Sequence, residues 1–155
     1  MSRMLQKKST SSFGYDLIKS VKKNMNKTIY ERIFTKLHQI IDLDKLLREK
    51  YLKYKSAGYM DLNIDFLRYK DGDTYIISIA HNFTQNGDLM CDPDMEIRIF
   101  PKTEMAEALT FQLDSIGIFQ RVYQDNKVNI EIKKDLNRFL DKWLTNIKSQ
   151  KYSLS

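Results

Sequence analysis

A chain of 155 residues, 42% hydrophobic and 30% charged, has the size and balance of one globular domain around a single core. Its formal charge is +6 and it has one cysteine, which excludes an internal disulfide and sets the expectation of a reducing, cytoplasmic setting. No apolar run nears the ~20 residues that span a bilayer, and the basic start "MSRMLQKKSTSSF" lacks the apolar stretch of a secretory signal, so no membrane partner is expected.

The charge is unevenly spread. Residues 1–56 hold 14 Lys/Arg and 5 Asp/Glu, residues 57–126 hold 5 and 12, and residues 127–155 hold 7 and 3. Two basic ends flank an acidic middle. Such segments either neutralise one another in the fold or leave a basic surface for nucleic acid or an acidic protein.

Residues 1–13 are small and polar and read as a flexible tail. A short basic amphipathic helix fits residues 15–25, with Leu17, Ile18, Val21 and Met25 on one side. The next helix is marked by Ile29, Ile33, Leu37, Ile40 and Ile41 at helical period, with Asn26 or Thr28 as its cap. Asp42 or Asp44 caps a further helix whose apolar side is Leu46, Leu47, Tyr51 and Tyr54, closed by Gly58.

The period then changes to two. Met60, Leu62, Ile64 and Phe66 alternate with Asp61, Asn63 and Asp65, as on a strand with one wet face. Asp71-Gly72 is a hairpin turn, and "TYIISIAHNF" returns as a second strand. "TQNGDLMCDPD" reads as an eleven-residue connection containing a tight turn at Asn86-Gly87. A third strand, "MEIRIF", sets Met95, Ile97 and Ile99 against Glu96 and Arg98, and ends at Pro101. In "EMAEALTFQLD" the shared parity of Met105, Leu109, Phe111 and Leu113 predicts a fourth strand with these residues on one face. Ser115-Ile116-Gly117 turns the chain into "IFQRVYQ", and residues 125–127 break that fifth strand. Leu136, Phe139, Leu140, Trp143, Leu144 and Ile147 form the strongest helical stripe of the chain. The expectation is an α+β domain over residues 14–150: N-terminal helices, a five-stranded antiparallel meander and a closing helix on one face. Residues 151–155 are expected to form a flexible tail.

The acidic stretch 88–96 is the most conspicuous candidate for chemistry. Asp88, Asp92, Asp94 and Glu96 could offer oxygens to a hard cation, yet the spacing is not that of a calcium loop. "DPD" reads as turn chemistry before a strand. Asp88, Asp92 and Asp94 stand as a competing metal set, the basis of a metal-dependent hydrolase or nuclease. His81 could lie near Asp88 or Asp92, but on its strand it faces with Ile77 and Ile79 as a core-edge histidine. Cys91, flanked by Asp92, is a poor nucleophile because a carboxylate raises a thiol pKa. Scattered single glycines make no phosphate loop, and no cofactor is implied. On the basic side, Arg48, Lys50, Lys53 and Lys55 interleave with Tyr51 and Tyr54, and with Lys19, Lys22 and Lys23 they could form one helical face along a phosphate backbone or an acidic protein.

"DPDMEIRIF", "MAEAL" and "NRFLDKWL" together resemble the YqiB-like bacterial family of unknown function. Pro93, Met95, Ile97, Arg98, Ile99 and Phe100 match its strand, and Phe139, Leu140, Trp143 and Leu144 match its closing helix, over roughly residues 57–147. The resemblance implies a helix, a meander and a terminal helix. It assigns no catalytic residue, and Asp88, Asp92 and Asp94 are not part of the family pattern. The wording "QNGDLMCDPDM" is similar to hypothetical proteins of plasmids, integrative elements and phages, which implies a bacterial accessory protein of a mobile element. The combined expectation is a non-enzymatic protein that binds a macromolecule, with the metal-dependent enzyme and a plain structural interaction subunit as alternatives; neither partner nor oligomeric state is written in the residues.

Overall fold

A computed structural model describes residues 26–155. The predicted 1–13 tail, the 15–25 helix and the candidates Lys19, Lys22 and Lys23 fall outside the described residues.

Helix α1, Ile29–Ile40, starts at Thr28, whose hydroxyl accepts the Glu31 N–H. This satisfies a donor that has no partner within the helix. Ile33 and Leu37 are fully buried on its inner stripe. Helix α2, Leu43–Glu49, is capped by Asp42 through the Lys45 N–H at 3.0 Å. It ends earlier than expected. Lys50 takes a left-handed conformation (φ 69) with its N–H on the Leu46 carbonyl, and the chain leaves as strand β1, Tyr51–Lys55. The predicted helical side Leu46, Leu47, Tyr51 and Tyr54 is thereby split. Leu46 is buried from α2, Leu52 and Tyr54 are buried from β1, and Tyr51 is exposed. "YLKYK" satisfies period two as well as 3.6, and strand pairing with β2, Asp61–Tyr69, decides between them. Gly58 (φ 84) sits in the β1–β2 turn, not at a helix end.

Strand β3, Tyr75–Gln85, follows the expected turn, in which the Lys70 N–H reaches the Thr74 carbonyl at 2.8 Å. Asp71 and Gly72 both have positive φ there. Strand β4, Asp88–Phe100, is where expectation and structure differ most. The predicted eleven-residue connection is almost entirely strand. Asn86-Gly87 alone turns the chain, both at positive φ, and pairing resumes at Gln85↔Asp88. Asn82 pairs with Cys91 and Ala80 with Asp94, so Asp92 and Pro93 together oppose His81. That bulge admits a proline that regular pairing would exclude.

Strands β5, Met105–Ala108, and β6, Thr110–Leu113, both pair with β4, and β7, Ile118–Arg121, pairs with β6. The expected single fourth strand is thus broken at Leu109, whose N–H goes to the Glu96 carbonyl. The break overturns the parity expected for Met105: Ala106 and Ala108 are fully buried, and Met105 is not. Beyond the break the expected parity holds for Phe111, which packs edge-on against Phe139 at 5.1 Å. Small β8, Tyr123–Gln124, and β9, Lys127–Val128, make a separate hairpin. Helix α3, Ile130–Ser149, is capped by Asn129. Ser153–Leu154, placed by the sequence in a tail, form β10 on the outer edge of β1.

The main sheet has eight strands rather than five, in the order β10-β1-β2-β3-β4-β6-β7 with β5 beside β4, all pairs antiparallel. The helices and one face of the sheet share a single core. Asn137, almost wholly buried on α3, accepts the Ala108 N–H and donates to the Lys133 carbonyl, tying helix to sheet.

Candidate functional site

The face of the sheet turned away from the helices is polar. Its middle row runs across the strands as Tyr51, Asn63, Asn82 and Cys91. The Tyr51 hydroxyl donates to Asn63, Asn63 to Asn82, and the Asn82 amide to the Cys91 sulfur at 3.1 Å. The Cys91 N–H then donates to Asp114 Oδ2 at 2.7 Å, and Gln112 holds the other oxygen of Asp114 at 2.7 Å. Beside this row, Ser78 donates to Asp94 Oδ1 at 3.1 Å.

The acidic candidates separate. Asp88 opens β4 in an exposed position, Asp92 lies in the bulge, and Asp94 points onto the open face. Among the described residues no three His, Cys, Asp or Glu side chains stand together as metal ligands. Burial is the main cause that pushes the Asp94 carboxyl above the usual range; the Ser78 hydrogen bond opposes it, and the charges of Glu96, Asp114 and Asp65 add to it. Burial likewise raises the Cys91 thiol, helped by Asp94 and Asp114, which weakens it as a nucleophile. His81 faces the other way. Its ring lies 5.3 Å from that of Trp143 and 5.9 Å from that of Tyr152, and Nδ1 is 3.3 Å from the Asp61 carbonyl. Burial lowers its pKa, as suits a neutral core-edge histidine and not a partner of the acidic stretch.

The basic candidates also disperse. Arg48 lies on α2 and Lys50 at its left-handed end, with Nζ 4.2 Å from the centre of the Phe66 ring. Lys53 and Lys55 alternate with buried residues on β1, and Lys53 pairs with Asp61 at 3.3 Å. They do not form one helical row. The cations that do share a surface are on α1 and α3. Arg32 and Lys36 both reach Asp141, at 3.4 and 2.6 Å, and Lys148 donates to Gln39 at 2.8 Å, which joins the two helices along a seam. Next to the seam, Lys134, Arg138 and Lys142 stand exposed on the side of α3 opposite its buried stripe. Among the described residues none of these three makes an ion pair. Their i, i+4, i+8 spacing is visible in the sequence as the complement of the Trp143 stripe. No described helix is long and apolar enough to cross a membrane.

The profile of a domain of unknown function, DUF6908, matches residues 28–153. The chain belongs to this family. The DUF6908 match begins at the Thr28 cap of α1 and ends in β10, so it takes in both faces described above. Of the resemblance named from the sequence, it supports the coarser part, a family of unknown function, and that family is DUF6908. Searches of curated proteins and of solved structures found no match.

Proposed function

We propose that the protein works without chemistry of its own, by binding a nucleic acid across the outer face of the α1–α3 pair. The supporting observation is the cation set of the two helices: Arg32, Lys36, Lys134, Arg138, Lys142 and Lys148 outnumber Asp141 and the exposed Glu131 and Asp135 of α3. Helices hold these side chains in rows that can follow phosphates. Asp65, Asp94 and Asp114 stand together on the open side of the sheet, away from the helices, so that part of the sheet repels a nucleic-acid backbone. An accessory role in a bacterium or mobile element, in the cytoplasm, belongs to the same proposal and rests on the sequence resemblance and the single cysteine.

Fluorescence anisotropy with labelled duplex and single-stranded oligonucleotides tests it. With ~6 phosphate contacts, affinity falls roughly a thousandfold between about 50 and 200 mM salt. Changing Lys134, Arg138 and Lys142 together to Gln lowers the salt slope by about three, while Lys53→Gln with Lys55→Gln leaves it unchanged. Absence of binding at the low-salt end refutes the reading and leaves a protein partner to be sought.

A further inference from the structure

The open face of the sheet carries a second, unrelated concentration of positive charge. In the register of the sheet, Arg68 on β2 pairs with Ile76 on β3, and Ile76 pairs with Arg98 on β4. Directly paired residues point to the same face. Ile76 is nevertheless fully buried, although it stands outside the core shared with the helices. It forms an apolar floor between two arginine stems, an arrangement long cationic side chains favour. Next to this row lies a cavity of 240 Å³ bordered by Arg68, Lys70, Arg121, Glu96, Thr110 and Ile76. Three cations face one carboxylate there. Glu96 engages Arg68 at 3.6 Å, and among the described residues Lys70 and Arg121 form no ion pair. These cations are exposed, so water screens their mutual repulsion, and an anion entering the hollow would be attracted by all three. The surplus of two positive charges matches a phosphate monoester, at about −1.5 to −2 near neutral pH, better than it matches a single carboxylate. Guanidinium groups add the forked donor geometry that phosphate oxygens accept.

A second hollow of 410 Å³ adjoins the first and shares Lys70, Leu109 and Tyr123 with it. It runs to the turn of the β8–β9 hairpin, where Gln124 and Asn126 offer amides. Arg98 borders it, held by Asp71 at 3.2 Å and by the Thr74 hydroxyl at 3.0 Å. Leu109, Tyr123 and Val128 give this hollow an apolar side, and Lys70, Arg98 and Lys127 stand around it together with the carboxylates Glu107 and Asp125, a lining suited to a small polar ligand.

We propose that these two hollows form a binding site for a small phosphorylated ligand. Arg68, Lys70 and Arg121 hold the phosphate, and the organic part lies along Leu109 and Tyr123. The phosphate end of the site, at Arg68 and Arg121, lies on the open face of the sheet, while Tyr123 and Glu107 at its other end reach Lys133 of α3; the site stands without the nucleic-acid reading. Loss of oligonucleotide binding in the Lys134, Arg138, Lys142 variant leaves it untouched.

The test follows the arginine Nε–H signals and backbone amides of the full chain by NMR during titration with inorganic pyrophosphate, and separately with ADP. Saturable shifts at Arg68 and Arg121 are expected with both. Changing Lys70 and Arg121 together to Gln weakens binding by roughly tenfold or more, whereas Arg138→Gln does not alter it. Both exchanged residues are exposed, so the fold is retained. ADP binding tighter than pyrophosphate, with added shifts in the β8–β9 hairpin, identifies a phosphorylated organic ligand. Equal affinity identifies free phosphate groups as the ligand of the same site. No saturable shift with either probe, or shifts spread equally over the α3 cations, overturns the proposal.

Discussion

Along β3, Ile77 and Ile79 point into the core under α1 and α3, whereas Ser78 and Asn82 point onto the open face and enter its hydrogen-bond network. The same strand thus serves two chemistries one residue apart. On the covered face, packing and the burial of one polar group at a time set the energy. On the open face, charges too close to be independent set it. Changes on the covered side should therefore be read out as stability, and changes on the open side as pH dependence and ligand affinity.

The largest effect is expected at Trp143, which is 7% exposed and touches His81 and Phe139. Trp143→Ala should cost about 3–5 kcal/mol in a urea melt. A loss below about 1 kcal/mol would show that α3 does not seal the covered face. Asn137→Ala comes next. It leaves the Ala108 N–H buried without its acceptor, a cost of about 1–3 kcal/mol. Asn137→Asp, which keeps an acceptor but loses the donation to the Lys133 carbonyl, separates the two bonds of that side chain.

His81 sharpens the comparison by pH. Its folded pKa lies below the ordinary 6.5 because of burial. Its neutral form therefore contributes stability that is present above 6.5 and is lost as pH falls through the lowered value. His81→Gln should flatten the stability curve in that acid window, measured by thermal melts across pH. Asp94 has the opposite sign and the smallest effect. Its folded pKa is raised, so the stability it contributes is present below the unfolded pKa and lost as pH rises through the folded one. Asp94→Asn should match the parent in acid and be the more stable protein near neutrality, with the Ser78 contact retained. Equal stability at every pH would show that Asp94 is neither desolvated by burial nor crowded by Glu96, Asp114 and Asp65.

Much of the covered face is legible in the order of the residues alone. The stripes of α1 and α3, the helix starts at Asn26 or Thr28 and at Asp42 or Asp44, the turns at Asp71-Gly72 and Asn86-Gly87, and the alternation of β2 and of Met95, Ile97 and Ile99 are local facts. Each is decided by the period of a few side chains or by a backbone conformation that particular residues favour. They hold whatever the rest of the chain does.

Pairing partners and layers are not local, and there only the tertiary structure decided. "YLKYK" fits a helix and a strand equally until β2 and β10 offer it edges. The acidic stretch from Asp88 to Asp94 looks like a loop because acids and proline disfavour strands. A bulge opposite His81 and a long partner in β3 nonetheless carry it as β4. The parity of Met105 failed because a break at Leu109 cannot be seen until β4 supplies the Glu96 carbonyl that the Leu109 N–H seeks. Charge followed the same rule. Counting Lys and Arg located two basic ends, but it could not bring Arg32 and Lys36 to Asp141, or Arg68 beside the same cavity as Arg121, because those neighbours are set by helix packing and sheet register rather than by distance along the chain.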